Sequence, residues 1–223
     1  MTDQLPLDLS LAPDYSAGAF VQGACNHEAC AALSNASGGA NKWANRALAL
    51  IGPHGCGKTH LGHIWAENNE AICLDGKDAF TPKPEWQGRA LWIDNASKAD
   101  EFTLFTLINL AITSDLTALL LTDRTPPSDW PVQIPDLHSR LRNVQTARLS
   151  EPDDQVLSAI MEKLFKDRGL KVSDSLINYL LINSDRSVNA LRSLIAELDR
   201  LAAQQKVNVT RSFAAKYLQG LSN

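Results

Sequence analysis

The chain has 223 residues, a formal net charge of −4, 44% hydrophobic and 21% charged residues, a balance that fits a folded globular protein and excludes a strongly basic, nucleic-acid-coating one. No apolar run approaches the roughly 20 residues of a membrane span, and the N-terminus lacks a basic-then-apolar leader, so a cytoplasmic protein with no membrane partner is expected. The length suits one medium domain plus a smaller one.

Residues 1–14 contain two prolines and several leucines without helical spacing. Leu5, Leu7 and Leu9 alternate, as in an extended peptide that presents one apolar edge. A strand laid on the chain's own core, or a tail without order, has the same composition. Residues 20–26 lead into a helix predicted over 27–33, and 34–41 form a loop by composition. Cys25, Cys30, Cys56 and Cys73 make no disulfide framework in a protein of this kind. Cys25, His27 and Cys30 lack zinc spacing and a second ligand pair.

The short apolar run 46–51 suits a buried parallel strand. It runs into Gly52, Pro53, His54, Gly55, Cys56, Gly57, Lys58 and Thr59, which read G-x-x-x-x-G-K-T, the phosphate-binding loop of P-loop nucleotidases. Its glycines let successive N–H groups turn inward on phosphate oxygens, and the helix predicted to follow adds its positive end. Lys58 would meet the β- and γ-phosphates, and Thr59 would ligate Mg²⁺. ADP or ATP with Mg²⁺ is the expected ligand set.

Strands are then predicted over 71–75 and 90–94. The second ends in Asp94, the Walker B carboxylate, expected to hold Mg²⁺ on a strand beside the P-loop strand. Asn95 follows, where many such ATPases place a water-activating glutamate; an amide cannot accept that proton, so intrinsic hydrolysis should be weak. A helix is predicted over 100–113 with Phe102, Phe105, Leu107, Ile108 and Ile112 apolar, then a strand over 117–122. Thr122 and Asp123 at its end are placed near the γ-phosphate. From Ser150, taken as a helix cap, only helices are predicted, with stripes such as Val156, Leu157, Ile160, Met161, Leu164 and Phe165 forming a small lid.

Together with this pattern, Leu120-Leu121-Thr122-Asp123-Arg124-Thr125-Pro126-Pro127 and Asp136-Leu137-His138-Ser139-Arg140-Leu141 resemble the AAA+ module of the DnaA family of bacterial replication initiators, over about residues 20 to 219. The resemblance implies an α/β class: an AAA+ P-loop core with a parallel five-stranded sheet over 15–149, then an all-α lid over 150–223. Phe20, Val21 and Asn26 would flank the adenine. Thr122 would be the first sensor, in an order one residue off the usual one. Arg140 would be an arginine finger, acting on a neighbour's nucleotide. The family's second-sensor arginine aligns with Asn189; Arg186 or Arg192 could stand in, and Arg186 is counted among the nucleotide-binding residues.

Initiators of this family carry a helix-turn-helix domain after the lid, and the few residues beyond Leu218 fall short of the roughly 50 a domain needs. With Asp94-Asn95, this resembles the regulatory, Hda-type branch of the family, and no sequence-specific DNA binding is expected. Gln4-Leu5-Pro6-Leu7-Asp8-Leu9 is similar to that branch's motif for the sliding clamp, the β subunit of DNA polymerase III. Gln4 would enter a polar pocket, and Leu7 and Leu9, beside Leu5, an apolar one. The implied function is negative regulation of replication initiation: a clamp-bound protein that stimulates ATP hydrolysis by DnaA. A helicase loader, an initiator-anchoring adaptor and a self-contained P-loop ATPase stay open, as does self-association.

Overall fold

The computed structural model describes residues 14–34 and 43–221. The predicted tail residues Gln4, Leu5, Leu7 and Leu9 lie outside the described residues. In chain order the elements are α1 (His27–Ser34), β1 (Ala47–Ile51), α2 (Lys58–Asn68), β2 (Ile72–Asp75), β3 (Ala90–Asp94), α3 (Glu101–Ile112), β4 (Ala118–Asp123), α4 (Pro135–Leu141), β5 (Gln145–Arg148), α5 (Asp154–Asp167), α6 (Asp174–Asn183), α7 (Val188–Gln205) and α8 (Arg211–Leu221). No helix among the described residues is long and apolar enough to cross a membrane.

All five strands pair in parallel, in the order β2-β3-β4-β1-β5. Strand alternation divides the side chains between two layers. Leu48, Leu50, Trp92 and Leu120 pack with Ala29, Leu61 and Trp65 of α1 and α2. Ala49, Ile51, Leu91, Ile93, Leu119 and Leu121 pack on the other face with Leu104, Leu107, Ile108 and Leu137 of α3 and α4. Both faces of the sheet are therefore covered, which explains strands that read as continuous apolar runs.

One expectation about the sheet is corrected. The Walker B strand is not beside the P-loop strand: β4 lies between β1 and β3. Thr122 of β4 is thus in register with Leu50 on one side and Asp94 on the other.

Two helix details also differ from expectation. The cap of α5 is Asp153, whose carboxylate accepts from Val156 N at 2.8 Å. Ser150 instead donates its N–H to the Cys25 carbonyl, stitching the lid connection to the N-terminal segment before the helix begins. On α3, Phe102 and Ile112 are exposed, and Leu104 and Ala111 take the core-facing places. Helices α5 to α8 bury their own apolar core around Met161, Phe165, Leu176, Leu180, Leu191, Ile195, Leu198 and Ala214.

Candidate functional site

The C-terminal ends of β1, β3 and β4 open onto a cavity of about 950 Å³, closed by the segment leading into α1 on one side and by α5 and α7 on the other. Its lining includes His54, Gly55, Cys56, Gly57, Lys58 and Thr59, together with Asn26, Asp94, Asn95, Asp123, Asn189 and Arg192. A cleft beyond the carboxyl ends of parallel strands is where α/β sheets hold ligands.

The loop itself has the shape its sequence anticipates. Gly57 sits at φ 104°, a left-handed conformation that a side chain would strain, and it hands the chain directly to α2 with Lys58 as first residue. The free N–H groups of the first turn of α2 therefore face the cavity. A Cβ on Gly52 would stand 2.2 Å from the Leu149 carbonyl, so the loop's first residue must be glycine for β1 to pass the lid connection. Lys58 Nζ donates to the carbonyls of Gly52 and Pro53, both at 2.8 Å, which folds the ammonium back over its own loop. Cys56 is buried beneath that loop, and burial pushes its thiol up, keeping it protonated. It fills space there as a small apolar residue.

Thr59 and Asp94 come together although 35 residues separate them: Thr59 Oγ1 donates to Asp94 Oδ2 at 2.9 Å. A hydroxyl and a carboxylate at that distance, beside a phosphate loop, fit a Mg²⁺ ion that takes its remaining ligands from water and phosphate. When bound, such an ion would be held by Thr59 and Asp94 and would offset phosphate charge.

The other expected residues divide. Asn26 lines the cavity, but its amide is spent on the backbone: Oδ1 accepts from Gly23 N at 3.0 Å and Nδ2 donates to Val21 O at 2.9 Å. It shapes the segment bearing Phe20 and Val21, both of which line the cavity. Thr122 is fully buried, and its hydroxyl donates to Asp94 Oδ1 at 2.5 Å, so it meets the site through Asp94. Asp123 lines the cavity and accepts from Ser97 N at 2.7 Å and Arg124 N at 2.6 Å.

Arg186 is not brought to the cavity; it precedes α7 and pairs with Asp154 on the surface. Arg192, one helical turn beyond Asn189, lines the cavity in its place. Arg140 lies off the cavity on α4, where its guanidinium donates to Asp136 Oδ2 at 3.1 and 2.9 Å and stands 5.3 Å from the Phe105 ring centroid.

A histidine that sequence reading did not single out ties these parts together. His60, next to Thr59, has Nε2 3.0 Å from the Ser16 carbonyl and meets Tyr15 and Phe20 edge-on. Burial, reinforced by the nearby Arg192 and His63 and opposed by the Ser16 carbonyl and Asp14, holds its pKa below the ordinary histidine value. A folded-state value below the unfolded one of about 6.5 means that the neutral ring stabilises the fold above that pH, and that this contribution is lost as pH falls below it. Thermal melts are expected to show a drop in Tm as pH falls below about 6.5 that is smaller in His60→Gln; equal drops in both proteins would show that His60 is not the group responsible.

Domain III of the replication initiator DnaA from Thermotoga maritima superposes with a TM-score of 0.76, covering 94% of this chain and 97% of that one, at 20% identity. The fold is that of DnaA domain III. AMPPCP-bound DnaA from Aquifex aeolicus matches with a TM-score of 0.68 over 85% of this chain and 66% of that one, at 18% identity. RuvB, a Holliday junction branch migration motor from Thermotoga maritima, matches with a TM-score of 0.63 over 79% of this chain and 62% of that one, at 17% identity. In sequence, an uncharacterized protein of Haemophilus influenzae is 28% identical over 152 residues, which span 68% of this chain and 60% of that protein. No family model matches the chain. The architecture is thus a parallel five-stranded α/β core with the fold of DnaA domain III, carrying a helical C-terminal region.

Proposed function

We propose that this chain is a nucleotide-binding regulator of the Hda type: tethered to the DNA polymerase sliding clamp by its N-terminal segment, it stimulates ATP hydrolysis by the initiator DnaA and so restrains replication initiation. The observation that carries this reading is the mismatch between a well-built nucleotide cleft and its poor hydrolytic equipment. After Asp94 comes Asn95, held at φ 53° with its amide donating to Asp75 Oδ1 at 3.1 Å. It offers no carboxylate that could take a proton from water. Arg140, in contrast, lies on the surface, away from the chain's own cleft. A module that holds nucleotide firmly, turns it over slowly and presents an arginine outward is suited to acting on a neighbour's nucleotide.

In this reading ADP or ATP sits in the cavity, its phosphates on the N–H groups of 55–59 and on Lys58, which exchanges its two loop carbonyls for phosphate oxygens. Thr59 and Asp94 hold Mg²⁺. Arg192 reaches the phosphates from the lid in the place expected of Arg186. The AMPPCP bound by the Aquifex aeolicus neighbour supports an adenine nucleotide as the ligand class.

The partner assignment rests on Gln4, Leu5, Leu7 and Leu9. Gln4→Ala combined with Leu7→Ala is expected to abolish capture of the chain by immobilised clamp while the thermal melt stays unchanged, as the sequence reading of residues 1–14 as an extended tail requires. Capture at parent level by the double variant would place the contact elsewhere. Clamp-independent capture of a replicative helicase would favour a loader instead, and appreciable ATP turnover by the chain alone would favour a self-contained ATPase.

A further inference from the structure

Trp92 has a role that its burial does not explain. Its indole is 3% exposed and lies flat in a slot on α2: a Cβ on Gly62 would stand 2.2–2.8 Å from three of its atoms, including Nε1. A glycine one turn after Lys58 thus admits the ring, and His63 closes the slot edge-on with its ring centroid 4.8 Å away. A buried indole needs a partner for its N–H. It finds one in Thr122, donating Nε1–H to Oγ1 at 3.1 Å.

The consequence falls on Asp94. A hydroxyl has one proton to give. The Thr122 Oγ1 proton has two acceptors in reach, Asp94 Oδ1 at 2.5 Å and the Ile93 carbonyl at 3.4 Å. With the indole N–H fixed on one lone pair, the rotor turns its proton to the nearer acceptor, and the donated bond is polarised and strengthened. Asp94 Oδ1 also accepts from Asn95 N at 3.1 Å. One carboxylate oxygen is therefore pinned by two donors, and the other, Oδ2, is left facing Thr59. Trp92, Asp94 and Thr122 can meet because residues 92 and 94 point to the same face of β3, and β4 carries Thr122 in register with Asp94.

We infer that Trp92 is a positioning residue for the metal-holding carboxylate: through Thr122 it sets the orientation in which Asp94 Oδ2 meets Mg²⁺. This rests on the nucleotide reading above and adds a residue to it. It assigns Thr122 to the carboxylate rather than to the nucleotide, and it makes Gly62 part of the site, since any side chain there would expel the indole.

The test is the Mg²⁺-dependent gain in ADP affinity, measured by calorimetry on nucleotide-free protein with Mg²⁺ and with chelator. Trp92→Phe keeps an aromatic ring in the slot and removes the N–H together with part of the indole; Thr122→Val keeps the shape and removes the hydroxyl. Each is expected to lose about fivefold of the gain, the scale of one hydrogen bond, while affinity in chelator stays within about twofold. The double variant is expected to lose no more than Thr122→Val alone, because both changes cut the same chain. Thr122→Ser is expected to retain the gain. A full gain in Trp92→Phe, or equal losses with and without Mg²⁺, would overturn the inference by reducing Trp92 to packing. If the unaltered chain shows no Mg²⁺-dependent gain at all, the nucleotide reading itself falls, and the inference with it.

Discussion

Arg140→Ala is expected to bind nucleotide and clamp as the parent does, yet to leave ATP hydrolysis by DnaA unstimulated. Arginine fingers supplied to a neighbour contribute about 10³–10⁵ in rate, so the loss should be close to complete. The side chain is placed for release. Its pair with Asp136 is an exposed i,i+4 contact on α4, worth roughly 0.5 kcal/mol, and exchanging it for a phosphate costs little. Phe105 beneath it keeps the guanidinium extended along the surface. Arg140→Lys should rescue poorly, since a point charge cannot bridge two phosphate oxygens as the fork does. Single-turnover hydrolysis of ATP preloaded on DnaA, with clamp on DNA, checks this. Parent-level stimulation by Arg140→Ala would move the role to Arg142 or Arg124, the other arginines flanking the end of β4 and α4.

The second large effect is on the chain's own ligand. Lys58→Ala should weaken ADP and ATP binding by on the order of 2–3 kcal/mol or more, a factor of roughly 30–150 in Kd. Its ammonium bonds to the carbonyls of Gly52 and Pro53, which water can satisfy in its absence, so the fold should survive. Calorimetric titration with each nucleotide measures the loss, and circular dichroism confirms that the fold is kept. Unchanged affinity for both nucleotides would remove the P-loop from the binding site.

These expectations draw on parts of the chain that were legible to different degrees. The phosphate loop was readable because its residues are contiguous and its geometry is local: a left-handed Gly57, then a helix opening at Lys58. The apolar runs of β1, β3 and β4 were readable because both faces of the sheet are buried. Strand β5 could not be placed, because it is an edge strand with only Ala147 buried, and Gln145, Thr146 and Arg148 carry no alternation a reader could follow. Strand order escaped for a related reason. Nothing local to β3 records that β4 will insert between it and β1, although that insertion is what delivers Thr122 to Asp94.

The second arginine shows how a single boundary misdirects a site. In sequence Arg186 and Arg192 lie three residues to either side of Asn189, and nothing local chooses between them. Ser187 is the cap, its hydroxyl accepting from Ala190 N at 3.2 Å, so Arg186 lies outside α7 and turns to Asp154. Asn189 and Arg192, three apart inside the helix, then share the cavity face. Ser150 and Asp153 both suit the cap of α5 in sequence, and only tertiary contacts choose between them.

This chain is proposed to act on another protein's bound nucleotide rather than chiefly on its own. The most direct measurement is the decay of ATP preloaded on DnaA, in single turnover, with clamp on primed DNA, in the presence and absence of this protein. Acceleration is expected with residues 1–223 and should vanish when residues 1–10 are removed. Decay at the same rate with and without the protein, clamp present throughout, would contradict it.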